Sequence, residues 1–273
     1  MKTKPKVLIS PIIFMGYMAV AFLSSCDKNN DDPVVNTVQS QKEEIRKGQL
    51  NGQPITYVRK DGKNFFQGDI VLTDEQLQDG SQKKGGASYS RWPSGNIYYT
   101  IASNMGSINR DKIINAINQY NSYTNTKWIA RTNQSNYVQF IFGSQTGSDG
   151  WAHIGYRGGV QTISLDQYIS VGSVIHEMGH TVGLYHEHTR QDRDQYVRIL
   201  WDNIQSGQSY NFDKYTSGVD IGPFNINSVM MYWPTSYSRN GQPTITRANG
   251  SSFTYTRTGF TTGDINTINA MYP

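Results

Sequence analysis

The sequence predicts an α+β fold in two lobes, on three observations. Short strand-like runs intermix with one long helical pattern before residue 171, a histidine-rich helix follows, and turn-rich sequence then dominates until a final helix. At 273 residues the chain can bury a substantial core. Only 17% of residues are charged, so the polar balance falls to Asn, Ser, Thr, Gln, Gly and 18 tyrosines, a profile that leans towards export. The net charge of +4 includes Lys2, Lys4 and Lys6, and the remaining cations form no stripe, so nucleic-acid binding gains no support.

The chain opens as an export signal: three lysines, an apolar run from Val7 to Leu23 broken by Pro11 and Gly16, then Ser24 and Ser25. That run is at the short edge of the roughly 20 residues a spanning helix needs, which disfavours a membrane span. Cys26 is the single cysteine, so no internal disulfide can form, and core packing and bound metal must hold the fold. It ends "LSSC", which resembles the lipobox of bacterial lipoproteins and makes Cys26 a lipidation candidate, with the membrane engaged only through that anchor.

Asp27 to about Lys47 is polar and poor in aromatics and reads as a linker. "GQPITYV" and "NFFQGDIVL" read as strands separated by the turn signal Asp61-Gly62. "DGSQKKGGAS" has nothing to bury and marks a cleavable boundary. Beyond it "GNIYYTIAS" alternates Ile97, Tyr99 and Ile101 as a strand, and Asn109 is expected to cap a helix that buries Ile113, Ile114, Ile117 and Tyr120. "TKWIAR", "NYVQFIFG" and "QTISLD" supply further strands. The motif helix runs from about Val171 to Leu184, with Val174, Ile175, Met178 and Val182 for the core. The last helix, capped by Thr262, turns Ile265, Ile268 and Met271 or Tyr272 inward.

"HEMGHTVGLYHEH" carries the chemistry. On a helix, His176 and His180 project about 40° apart, as two imidazoles on one ion require. Glu177 points about 100° away, too far to ligate comfortably but suited to act as general base on a water at the metal. Gly183 can take the positive φ that ends a helix, so that His186 swings back as a third ligand. Three neutral imidazoles leave a position open for water, the mark of a catalytic zinc site, where that water's pKa falls to about 7. HExxH alone is short enough to arise by chance; Gly183 and His186 at fixed spacing make coincidence roughly a thousandfold rarer. His188 and His153 read as hydrogen-bonded structural histidines.

HExxHxxGxxH followed by a Met-turn is the metzincin pattern. The chain resembles a metzincin, more narrowly a bacterial astacin-family endopeptidase: Glu187 follows the third histidine, and "SVMMY" resembles the family's Met-turn. "RWPSGNIYY" and "TTGDINTINAMY" extend the resemblance over nearly all of residues 91 to 272. It implies a mixed, mostly parallel sheet with two main helices, one zinc ion per catalytic domain, and protein or peptide substrates. It further implies Met230 as a floor beneath the metal, Tyr232 as a movable ligand that swings to the oxyanion, and Glu187 as the partner of a newly formed N-terminus. "FFQGDI" resembles the inhibitory motif of astacin pro-segments, with Asp69 in the zinc position meant for water and Gly68 letting the backbone pass close.

The expected organisation is a signal over 1–25, linker and inhibitory pro-segment over 26–84, and a catalytic domain over 85–273. An activating protease would cut after Lys83-Lys84. Cys26 competes with Asp69 as a zinc-blocking group, but it lies at the end of the export signal and lipidation is preferred. The product is a latent zinc endopeptidase, secreted or lipid-anchored at the bacterial cell envelope; the alternative is a non-catalytic, zinc-containing surface binding protein on the same fold. Two departures stand out: astacin domains generally carry two disulfides, which this chain cannot form, and Met231 replaces a histidine found in many members.

Overall fold

Two residues, Asn51 and Gly52, begin the architecture. In the computed structural model, which describes residues 43–78, 91–143 and 150–273, both have positive φ (52° and 78°). They join strands β1 (Glu44–Leu50) and β2 (Gln53–Lys60) in an antiparallel hairpin that pairs Leu50 with Gln53. Positive φ at both central positions is the turn whose twist matches a hairpin, and Asn-Gly favours it. Asp61 and Gly62 repeat the device (φ 48° and 74°) between β2 and β3 (Lys63–Phe66), with Lys60 opposite Lys63. Then Gln67, Gly68 and Asp69 turn β3 into β4 (Ile70–Leu72), pairing Phe66 with Ile70. A five-residue helix, α1 (Asp74–Gln78), ends this meander.

The linker expected up to Lys47 is therefore too long, because Glu44–Leu50 is a strand. Its side chains are mostly exposed, so apolar alternation could not reveal it; backbone pairing to β2 holds it. Cys26, Lys83 and Lys84 lie outside the described residues.

The second part supplies β5 (Asn96–Ile101), α2 (Ser107–Tyr123), β6 (Lys127–Ala130), β7 (Tyr137–Phe142), β8 (Gly150–His153), β9 (Val160–Leu165) and α3 (Val171–Val182). Among the described residues one sheet runs β1-β2-β3-β4-β8-β9-β7-β5-β6. Pairings β9-β7, β7-β5 and β5-β6 are parallel, β8 is antiparallel to β9, and β4 joins β8 in parallel with Ile70 opposite Ala152. This is the α+β, mixed and mostly parallel arrangement predicted, extended by the meander.

Helices α2 and α3 bury Ile113, Ile117, Tyr120, Val174, Ile175, Met178 and Val182 with Ile97, Trp128, Phe140 and Ile163 of the sheet. Each such side chain contributes about 1.5–3 kcal/mol on burial. Two local expectations are corrected. Asn109 is not a cap but a buried residue inside α2, whose N-cap is Gly106; its amide donates to the Asp166 carbonyl and ties α2 to the end of β9. Ile114, 38% exposed, faces outward, since it lies about 100° from Ile113 around the axis.

After α3 the chain is largely irregular, with one small ladder of β10 (Val197–Ile199) and β11 (Ile245–Arg247) and the final helix α4 (Thr262–Met271). A second core gathers Phe212, Met231, Tyr232, Ile245 and Tyr255. The cap of α4 is Thr261, one residue before the one expected: its hydroxyl accepts from Asp264 N while the Asp264 carboxylate accepts from Thr261 N, a reciprocal capping box. Among the described residues no helix is long and apolar enough to cross a membrane.

Candidate metal and catalytic site

Ser170 starts α3 by accepting from Ser173 N at 3.0 Å, and the helix is buried from Gly172 to Val182, so its histidines project into the interior. Gly183 ends it at φ 109°, with Leu184 N donating to the Gly179 carbonyl at 2.9 Å. A Cβ there would meet Met271 Cε at 3.1 Å, so glycine serves both conformation and space. The turn aims the Leu184 carbonyl back at His180 and brings His186 round to face the helix.

Each imidazole is oriented through Nδ1. His176 Nδ1 donates to the Val229 carbonyl and His180 Nδ1 to the Leu184 carbonyl, both at 2.8 Å, and His186 Nδ1 donates to Gln67 Oε1 at 3.1 Å. With Nδ1 carrying the proton, the three Nε2 atoms present lone pairs. They converge: His176 Nε2 is 3.2 Å from His180 Nε2 and 3.3 Å from His186 Nε2. The Asp69 carboxylate closes the figure at 3.3, 3.4 and 3.2 Å from His176, His180 and His186.

Converging lone pairs and a carboxylate, all buried, repel one another unless a cation lies between them. Asp69 Oδ1 has no hydrogen-bond partner among the described residues, as a ligand atom should not. A tetrahedron with centre-to-corner distances of about 2.0–2.1 Å has edges of about 3.3–3.4 Å, so the donor set fits zinc. Charge states agree. Burial pushes His176 well below its ordinary range and His186 to about 4, which keeps both neutral. Burial alone would raise the Asp69 carboxyl; only positive charge at the ring nitrogens it faces holds it well below the carboxylate range, and with neutral imidazoles a bound cation would have to supply that charge.

Around this cluster the other sequence-selected residues take separate positions. Glu177 is 1% exposed and lies against β8, where a Cβ on Gly150 would sit 3.2 Å from its Cγ; it is not among the converging ligand atoms. Met230 packs on α3 at Gly179, whose added Cβ would meet Met230 Sδ at 2.6 Å. Tyr232 stacks on His188 at 3.9 Å between ring centroids, stands edge-on to His186 at 4.6 Å, and donates to the Gln67 carbonyl at 2.5 Å. Burial, then Tyr237 and Asp69, raise its phenol well above the ordinary value, so it stays a donor. His188 Nε2 donates to the Asn211 carbonyl at 3.0 Å and lies outside the cluster, while His153 Nδ1 accepts from Thr162 N. Met231 is fully buried in the second core.

Glu187 accepts from Asn225 N at 2.7 Å, and burial raises its carboxyl to about 7. It borders a cavity of about 110 Å³ that Arg91, Ser228, Asp264 and Met271 also line.

Three contributors escaped sequence reasoning. Gln67 offers its carbonyl to Tyr232 and its side chain to His186. Tyr237 crowds Gly68, where a Cβ would come 2.1 Å from its hydroxyl; at φ 85°, only glycine suits that position. Asp264, besides capping α4, accepts from Ser228 Oγ at 2.5 Å and Val229 N at 3.1 Å, so it anchors the segment whose Val229 carbonyl orients His176. The Asp three residues after the first Thr of a Thr-Thr-Gly-Asp helix start was the available signal for Asp264.

The sequence of residues 85–273 matches the family profile described as Astacin, a peptidase family. The zinc metalloproteinase nas-4 of Caenorhabditis elegans is 34% identical over 219 residues, covering 77% of this chain and 69% of its own length. Astacin-like metalloprotease toxin 2 of Loxosceles intermedia is 36% identical over 183 residues, 66% of this chain and 70% of the toxin. The zinc metalloproteinase nas-13 of Caenorhabditis elegans is 37% identical over 191 residues, 68% of this chain; the chain spans only 41% of that relative. Among solved structures, High choriolytic enzyme 1, a hatching enzyme zinc-protease from Oryzias latipes (Medaka fish), matches with a TM-score of 0.61 and 30% identity, over 68% of this chain and 94% of that one.

Proposed function

The chain belongs to the astacin family of peptidases and is a zinc metalloendopeptidase; from that premise we propose that it is made as a latent precursor whose residues 43–78 form the inhibitory segment. The observation that carries this reading is the convergence of Asp69 with His176, His180 and His186, four donors where three would leave room for water. A catalytic domain over 85–273, activation by a cut at Lys83-Lys84, an exported destination and lipidation of Cys26 at a bacterial envelope are proposed on the same footing.

His176, His180 and His186 would hold the zinc, with the Asp69 carboxylate facing the same point. Zinc bound there supplies Lewis acidity towards a carbonyl oxygen and towards water, whose pKa it lowers to about 7. Glu177 takes a proton from the water that attacks the scissile carbonyl carbon, and returns it to the amine as the C–N bond breaks. Tyr232, once released from the Gln67 carbonyl, donates its hydroxyl to the developing oxyanion. Glu187 receives the new N-terminal ammonium in the cavity lined by Arg91 and Asp264; burial holds its carboxyl at about 7 although Arg190 stands 3.7 Å away, so a closer cation suits it. Substrates are proteins or peptides in extended form. β8 is the edge of the β8-β9-β7-β5-β6 sheet once β4 leaves, and its free main-chain groups can pair with such a strand.

The test is hydrolysis of a mixed quenched-peptide library by purified precursor, before and after limited cutting near Lys84, with Glu177→Ala alongside. Activity that appears only after the cut, is lost to a zinc chelator and is absent from the variant is expected. Silence under every condition with zinc bound would favour a non-catalytic binding protein.

A further inference from the structure

The three histidines differ in where their Nδ1 acceptors come from. His176 and His180 use the main-chain carbonyls of Val229 and Leu184, both within the 85–273 segment. His186 uses a side chain, Gln67 Oε1, from the meander. Gln67 is 1% exposed, and its Nε2 has no hydrogen-bond partner among the described residues. An idle buried N–H costs about 1–3 kcal/mol, so this amide is a poor space-filler. Its orientation follows from His186: Nε2 of that ring faces the other ligand atoms, so Nδ1 carries the proton and the amide oxygen must face it.

We propose that Gln67 is a positioning residue for the third zinc ligand: it locks the tautomer and plane of His186 while the pro-segment is docked, and takes that support away when the segment leaves. The support of the three zinc ligands is thus complete only in the precursor, and the metal is held less tightly by the mature chain. Partners of this kind change metal affinity about 10-fold to 100-fold. The inference rests on the reading of His186 as a zinc ligand and of residues 43–78 as a removable segment.

The experiment measures zinc affinity of the purified precursor by competition with a chromophoric chelator, and the rate of zinc loss to excess EDTA. Gln67→Leu and the near-isosteric Gln67→Met are expected to bind zinc about 10-fold to 100-fold more weakly than the parent, and Gln67→Glu, which keeps an acceptor, to restore it. Thermal melting of the metal-free proteins identifies which variants fold, and the comparison uses those. Once the segment is removed, parent and Gln67 variants are the same chain, so their zinc affinities should coincide. His186→Ala separates the two failures. If it loses zinc while Gln67→Leu and Gln67→Met bind as tightly as the parent, the role of Gln67 is overturned and the ligand assignment stands. If His186→Ala also binds as tightly, the assignment itself falls.

Discussion

The Tyr232 hydroxyl donates a 2.5 Å hydrogen bond to the main-chain carbonyl of Gln67, so this phenol is committed to the meander. Removing the meander returns a buried donor to the site. In the mature enzyme Tyr232→Phe should lower kcat about 100-fold with little change in KM, the size seen when one oxyanion donor is lost. Steady-state kinetics on a single quenched peptide decide it, and an unchanged kcat would remove Tyr232 from the chemistry.

On the proposed reading, Asp69 and β4 would obstruct the cleft in two separable ways. The carboxylate closes the donor set, while the pairing of Ile70 with Ala152 occupies the edge of β8. Asp69→Ala should therefore let the uncut precursor hydrolyse short peptides, at a rate below that of the mature enzyme. Assay of uncut Asp69→Ala beside mature parent reads this directly; a silent variant would mean that strand occupation alone enforces latency.

His153 should make the precursor acid-sensitive. Burial, then Arg157, lowers its pKa to about 3, against the Thr162 carbonyl 3.2 Å from Nδ1, which favours the protonated ring. A depressed histidine contributes stability that is whole above its unfolded value of about 6.5 and is lost as pH falls towards the folded value, by about 1.4 kcal/mol per pH unit at most. Urea unfolding between pH 7 and 4 should show a steeper loss for the parent than for His153→Gln. Parallel curves would assign the acid sensitivity elsewhere.

Gly183→Ala should cost about 1–3 kcal/mol, from a side chain forced to φ 109°. Because that turn also directs the Leu184 carbonyl to His180, zinc should be lost faster as well. Melting temperature and EDTA-induced zinc release measure the two effects. A normal melting temperature would show that the turn relaxes at no cost.

Much of this arrangement was legible in the order of residues. The spacing of His176, His180 and His186 specifies one helical face and a return, Gly183 marks the turn, and the apolar positions of α3 specify the buried side. Local chemistry of that kind needs no knowledge of distant chain. Gln67 was not legible, because its meaning lies in a ring 119 positions away in sequence. β1 was missed because its side chains face solvent and only its backbone is engaged; the Asn51-Gly52 pair was the overlooked sign. Asn109 was misjudged as a cap because tertiary contact with the Asp166 carbonyl overrode its local preference.

The two Gly-containing two-residue turns of the meander bear on the order in which the chain assembles. Pairings such as Leu50 with Gln53 and Lys60 with Lys63 close minimal loops, whereas Ile70 with Ala152 must span most of the intervening chain. Hairpins form in about 1–10 μs, and contacts distant in sequence come later because a larger loop entropy opposes them. During synthesis the meander also emerges before β8. It is therefore available as a ready-made template on which the β8 strand can settle, so that, on the reading proposed above, the segment that would silence the domain would also speed its folding.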